Sequence, residues 1–209
     1  MEFAKVSKER RAVNFFDPEK PVSDEVLRRI VETAALAPSG FNLQPWQLIV
    51  VKSPADKERL RSAALKQPKV TEAPVVLILL ADREGWKPGH PTFEKTWRNM
   101  VELVYLKPKQ RDWFEGAVKA LYEGEEKSLA FAVKNAAFFG MSIMLAAKDA
   151  GLDSHPMDGF DQEAVKKAFD IPGNFFVPIL IALGHFNEQQ QLMPPKWRKT
   201  FDEIVLRTY

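Results

Sequence analysis

Three stretches of the chain combine residue types suited to holding an anion. Arg10-Arg11 closes an N-terminal amphipathic segment just ahead of Phe15-Phe16-Asp17-Pro18. Ala37-Pro38-Ser39-Gly40-Phe41-Asn42-Leu43-Gln44-Pro45-Trp46 is a loop of small and amide residues that delivers the chain into a strand-like run. Pro195-Lys196-Trp197-Arg198 sets two cations at alternate positions in the tail. Paired guanidinium and ammonium groups supply several charge-assisted hydrogen bonds in fork geometry, which suits phosphate, and loop amides can complement them. Taken one at a time, the cation pairs read equally well as solvated surface and the loop as turn chemistry.

Other chemistries have little to work with. The 209-residue chain contains no Cys, which removes disulfides, thiolate zinc sites, iron–sulfur ligation and cysteine nucleophiles together. Its three histidines are His90, His155 and His185, no two at helical spacing, so no metal site is expected. His155 could serve as an acid or base, since free imidazole titrates near pH ~6.5, but it reads as a loop histidine bonded to backbone. No Gly-x-Gly-x-x-Gly is present, so no separate dinucleotide-binding domain is expected. A formal charge of +2, from 30 Lys and Arg against 28 Asp and Glu, creates no global field for nucleic acid; any anion site must be local. Met1–Val13 is charged every few residues, and the longest apolar run, 73–81, falls short of the ~18 residues a membrane helix needs. A cytoplasmic protein without a membrane anchor is therefore expected.

The positioning elements follow from periodicity. Val26, Leu27, Ile30, Val31, Ala34 and Ala35 recur at helical steps behind Ser23 as N-cap, and Pro38 ends that helix. A strand is predicted over 46–52, a helix over 54–64 with Ser53 as cap, and a strand over 74–81 that is apolar on both faces. Residues 82–125 change texture, with two amphipathic stretches, and form a candidate insertion or lid. Trp97, Tyr105, Trp113 and Phe114 in that segment read as core residues that could otherwise stack over a ligand. The strongest helix is predicted over 127–150, with small residues along its packing face, and a loop over 152–160 follows it. A helix capped by Asp161 and a strand over 177–184 complete the pattern, and the tail 187–209 shows no periodicity. With 45% hydrophobic residues and no linker or repeat, this is one α+β or α/β domain over 1–209.

The order and spacing of these stretches resemble the nitroreductase family of flavoproteins. Arg10-Arg11-Ala12-Val13-Asn14-Phe15 is similar to the family's Arg-Arg-Ser-x-Arg-x-Phe opening, and 37–46 to its Ala-Pro-Ser-Ser-x-Asn-x-Gln-Pro-Trp signature. Residues 151–160, Gly-Leu-Asp-Ser-His-Pro-Met-Asp-Gly-Phe, resemble its late loop, and 177–184 its closing strand. The resemblance implies an α+β three-layer fold with a central, mostly antiparallel sheet, and a homodimer with the long helix at its interface and the tail packed on the partner. FMN would lie between the subunits, with NADH or NADPH as reductant.

Arg10 and Arg11 would then approach the FMN phosphate and ribityl chain, with Ala12 and Asn14 on the same stretch. Lys69 would face the flavin N1 and O2 edge, and Lys196 with Arg198 the phosphate. Pro38, Ser39, Gly40 and Asn42 would come from the other subunit. Pro156, Met157, Asp158 and Gly159 would pass along the ring, with backbone N–H near N5. The reaction would be ping-pong reduction of nitroaromatics, quinones or similar acceptors, with the flavin rather than a side chain carrying the hydride. The alternatives are a non-catalytic FMN-binding protein, or dehalogenation or flavin breakdown by reduced flavin. Ala12, Asn14, Lys66 and Gly40 depart from the family pattern, replacing a hydroxyl, a basic group, an amide and a second serine.

Overall fold

The computed structural model describes residues 2–209. In chain order the elements are α1 (Phe3–Glu9), α2 (Asp24–Ala34), β1 (Trp46–Val51), α3 (Pro54–Ala63), α4 (Lys69–Glu72), β2 (Val75–Asp82), α5 (Pro91–Glu102), α6 (Arg111–Tyr122), α7 (Glu125–Asp149), β3 (Asp153–Met157), α8 (Gln162–Ala168), β4 (Phe175–Gly184) and α9 (Phe201–Ile204). Single 3-10 turns occupy Gly40–Asn42 and Pro108–Gln110.

Helix starts sit where local chemistry puts them. The Ser23 hydroxyl accepts from the Val26 N–H at 3.2 Å, Ser53 from the Asp56 N–H at 3.0 Å, and the Asp161 carboxylate from the Ala164 N–H at 2.9 Å. The long helix starts at Glu125, two residues earlier than the periodicity predicts, with Glu125 and Glu126 at the positive end of its dipole.

The four strands form one antiparallel sheet in the order β1-β2-β4-β3. All eight residues of β2 are buried. Val75, Leu77, Leu79 and Ala81 face α2 and α7, packing with Ile30, Phe131, Ala136, Phe139 and Ile143. Val76, Ile78 and Leu80 face the opposite layer, where Leu60 of α3, Val70 of α4 and Val165 of α8 close over them. A strand covered on both faces has no polar alternation, and that is how 74–81 reads in the sequence. α7 is long and apolar enough to cross a membrane by length and composition, but its packing face is sunk in the first of these cores.

One predicted element is wrong. Residues 152–160 are not a continuous loop; they contain β3, paired with β4 in the register His155↔Ala182 and Met157↔Leu180. Asp, Ser, His and Pro hide a short edge strand, because proline lacks the N–H a central strand needs and is tolerated where one side of the strand is free.

Leu79 sits fully buried between α7 and the sheet. Leu79→Ala should therefore lower unfolding free energy by about 2–5 kcal/mol. Urea denaturation monitored by tryptophan fluorescence checks this; an unchanged midpoint would refute the two-sided packing of β2.

Candidate functional site: a cationic cavity at the edge of β3

The segment after α1 docks on the free edge of β3. Ala12 forms a parallel bridge with Ser154, the Val13 N–H donates to the Ser154 carbonyl at 3.2 Å, and Phe16 bridges Phe186. Val13 and Phe16 turn inward and are almost fully buried, which leaves Ala12 and Asn14 on the outer side. The chain bends at Asn14, so Phe15 also faces the solvent side and Phe16 turns back inward.

That space is a cavity of about 900 Å³. Lys8, Arg10, Arg11, Ala12 and Asn14 line it from the N-terminal segment, His155 and Pro156 from β3, and Met193, Lys196 and Arg198 from the tail. Arg10 is held below the ordinary arginine range, first by its burial and then by the nearby positive charge of Arg198. Cations placed so that they raise one another's energy suit a doubly charged phosphate, which would relieve both effects. The residues present therefore fit the phosphate end of a nucleotide cofactor.

Lys69 approaches from α4. Its ammonium lies 3.3 Å from His155 Nε2, while His155 Nδ1 lies 2.7 Å from the Val13 carbonyl oxygen. The backbone-bonded reading of His155 is correct. Burial is the main influence lowering both the Lys69 and the His155 pKa values; the ammonium of Lys69 and that of Lys196 push His155 down further.

The remaining predicted residues are placed less simply. Pro156 lines the cavity, but the Met157 side chain is buried in the core below the sheet, and Asp158 is exposed. Gly159 is held through its carbonyl, which accepts from Gln67 Nε2 at 2.7 Å. Gln67 escaped the sequence reading; its signal is an amide beside Lys66 and Lys69 in the turn before α4. Lys66 itself is exposed, with a left-handed backbone (φ 57°).

Residues 38–42 are not brought to the cationic cavity within one chain. The Gly40 N–H donates to Asn135 Oδ1 at 3.0 Å, the Gln44 N–H donates to Ser39 Oγ at 2.9 Å, and Thr96 donates to the Asn42 carbonyl at 3.2 Å. Asn42 lines a second cavity, of about 630 Å³, with Gln44, Trp46 and the polar face of α5. Asn135 is fully buried in α7, its amide also donating to the Phe131 carbonyl at 2.7 Å. A lone Asn inside an apolar, small-residue stripe was the signal for it. Of the four aromatics in the middle segment, Phe114 is buried and Trp97 packs against it at 5.6 Å. Tyr105 and Trp113 are not core residues: they are 77% and 60% exposed, on the rim of a segment too short to cover every face of its helices.

The absence of a second serine at position 40 has a local cause. A Cβ there would stand 2.3 Å from the Tyr122 hydroxyl oxygen, so the hydroxyl of α6 fills the space a side chain would need.

An antiparallel sheet buried between helical layers, with a cationic cavity at its edge strand, defines an α+β architecture. Comparison with known proteins makes the class specific. The profile of the Nitroreductase family matches residues 7–185, and the chain belongs to that family. It is 34% identical over 206 residues to Bacillus subtilis (strain 168) MhqN, provisionally named an NAD(P)H nitroreductase, covering 98% of each chain. It is also 34% identical over 190 residues to a Thermus thermophilus protein named NADH dehydrogenase, covering 89% of this chain and 86% of that one. The crystal structure of Bacillus subtilis ydfN, provisionally a nitroreductase, superposes with a TM-score of 0.91 at 32% identity, covering 99% of both chains.

Gly40→Ser should destabilise the protein by about 1–3 kcal/mol through the clash with Tyr122. In a Tyr122→Phe background, which removes the hydroxyl but keeps the ring, the same substitution should cost less than half as much. Equal costs in the two backgrounds, measured by thermal unfolding, would show that Tyr122 does not set the residue at position 40.

Proposed function

We propose that the protein is an FMN-dependent oxidoreductase that takes electrons from NADH or NADPH and passes them to nitroaromatics, quinones or similar electron-poor acceptors in a ping-pong cycle. The observation that carries this reading is the convergence of Arg10, Arg11, Lys196 and Arg198 on one cavity beside β3 in a chain of the nitroreductase family. The names of the relatives MhqN and NADH dehydrogenase support the nicotinamide donor. Bound FMN would supply the hydride chemistry at its N5 atom, which fits a chain that contains no cysteine.

The chain's residues then bind, orient and screen. Arg10, Arg11, Lys196 and Arg198 neutralise the phosphate, and fixed charges of this kind cost no reorganisation during turnover. Ala12 and Asn14 lie along the same wall and give the ribityl chain fewer polar contacts than the family pattern would. Lys69 holds a positive charge at the N1 and O2 edge, where negative charge develops on reduction. The stretch Pro156, Met157, Asp158 and Gly159 runs along the ring; Gln67 fixes it through the Gly159 carbonyl, and the backbone N–H groups near Asp158 orient N5. Pro38, Ser39, Gly40 and Asn42 reach the flavin of the second subunit in a homodimer. The exposed apolar side chains of the tail, Trp197, Phe201 and Leu206, favour burial against that partner. The exposed stretch of 82–125 covers the acceptor. The protein works in the cytoplasm as one 1–209 domain per subunit.

The purified protein should be yellow or become so with added FMN. It should bleach with NADH or NADPH under anaerobic conditions and regain colour with a quinone. A flavin that binds but never bleaches would leave a non-catalytic carrier; no flavin uptake would overturn the reading. Replacing both Lys196 and Arg198 by Ala should raise the FMN dissociation constant at least about tenfold, as expected for lost charge-assisted hydrogen bonds. Riboflavin, which lacks the phosphate, should bind the double variant and the parent alike.

A further inference from the structure

His155 stands between the two halves of the site. Its Nδ1 lies 2.7 Å from the Val13 carbonyl oxygen, on the segment that carries Arg10 and Arg11, and its Nε2 lies 3.3 Å from the Lys69 ammonium on α4. These two partners settle the ring's protonation by elimination. A carbonyl oxygen can only accept, so Nδ1 must bear the hydrogen; an ammonium can only donate, so Nε2 must present its lone pair. A doubly protonated ring would set an N–H against the Lys69 ammonium. The hydrogen bond to Val13 also ties the ring to backbone that is itself paired with Ser154, so the imidazole is fixed in place and tautomer.

We propose that His155 is the positioning residue of the flavin site: as the neutral Nδ1–H imidazole it couples the Arg10–Asn14 segment to Lys69 and aims the Lys69 ammonium at the flavin ring. This rests on the functional reading above. One Lys69 proton is engaged by Nε2, and the other two remain for an acceptor on the ring edge. His155 acts through Lys69 and touches no reacting atom, so its loss should alter flavin binding at the ring end and leave the phosphate contacts intact.

The charges around His155 make the link sensitive to acid. Lys69 faces it from α4 and Lys196 from the tail, while Arg10 and Arg11 of the N-terminal segment and Arg198 of the tail line the same cavity. The carboxylate acting on this group is Glu72, on α4, and it acts on Lys69. Burial first, then the charges of Lys69 and Lys196, hold the His155 pKa below its ordinary 6.5 against the opposing bond to the Val13 carbonyl. For a group whose folded value is depressed, the stabilising contact is complete above the unfolded value and is lost as pH falls through the folded one. The Lys69 contact should therefore be intact at pH 7 and fail on the acid side of 6.5.

Two measurements test this. Long-range proton–nitrogen spectra of the flavin-free protein at pH 7.5 should show His155, identified by its disappearance in His155→Gln, as the Nδ1–H tautomer. An Nε2–H tautomer or a doubly protonated ring there would overturn the proposal. Riboflavin and FMN dissociation constants are then measured by flavin fluorescence from pH 5 to 8. Riboflavin removes the phosphate's own titration near pH ~6 from the comparison.

In the parent both ligands should bind about tenfold more weakly at the acid end. His155→Gln, which keeps an acceptor but does not titrate, should bind riboflavin independently of pH, and His155→Phe should bind it weakly throughout. In a Lys69→Met background His155→Phe should have no further effect. An acid limb that survives in His155→Gln, or a full His155→Phe effect without Lys69, would refute the proposal and leave the flavin reading standing. A parent protein that binds neither flavin at any pH would instead overturn the flavin reading itself, and with it the role given to Lys69.

Discussion

Cations gathered into one cavity repel one another, and the fold must supply the free energy that keeps them together. It does so with uncharged anchors. Val13 and Phe16 are buried on one side of the N-terminal segment, each contributing about 1.5–3 kcal/mol through burial, and the backbone bonds to Ser154 and His185 fix the register. Arg10 and Arg11 are carried into the cavity as the outer partners of that docking. The lowered pKa of Arg10, caused by burial and by Arg198, is the residual cost. An anion bound there would offset that cost, because it would pair with the charges that repel one another.

The position of the site follows from the sheet. Both faces of β2 are filled by helices, so no ligand can lie against its middle. The edge strand β3 is different: one side pairs with β4 and the other would expose unpaired backbone groups, which proteins do not leave bare. Ala12 and Val13 cover that edge at Ser154, while Phe16 pairs with Phe186 just beyond β4, and the arginines come with them. Edge protection and site construction are thus the same contact, and Pro156, which cannot donate to a ladder, sits where the edge meets the cavity.

Much of this was legible from residue order alone. The caps at Ser23, Ser53 and Asp161 and the doubly apolar 74–81 run declare their elements through local chemistry, and the cation pairs at 10–11 and 196–198, far apart in the sequence, line one cavity. β3 was not legible, because its identity as a strand comes from its partner β4 rather than from its own Asp-Ser-His-Pro-Met. Gln67 and Asn135 were missed for a related reason: each acts through a bond to a residue about 90 positions away, Gly159 in one case and Gly40 in the other. Tyr105 falls past the end of α5, where the helical spacing no longer applies, and Trp113 sits beside the buried Phe114 on α6 but on its outer face. Local signals report elements and charges, while long-range bonds decide which loops become rigid.

The middle segment shows how family pattern and individual packing interlock. Tyr122 at the end of α6 occupies the space over Gly40, and Phe114 of the same helix meets Phe41 edge-on at 5.5 Å. Arg111, at the start of α6, forks onto Glu94 of α5 at 2.6 and 2.9 Å and also pairs with Glu115. Moving α6 as a body would uncover Phe114 and Val118, both fully buried, at a cost of several kcal/mol. The stretch between the two helices is held more lightly, with Leu106 packed against the core while Leu103, Val104 and Tyr105 are well exposed. α6 is thereby held between the α5 pairing and the 37–46 loop, which it helps to shape. A substitution on α6 would be felt first in the 37–46 loop, through the contacts of Tyr122 with Gly40 and of Phe114 with Phe41.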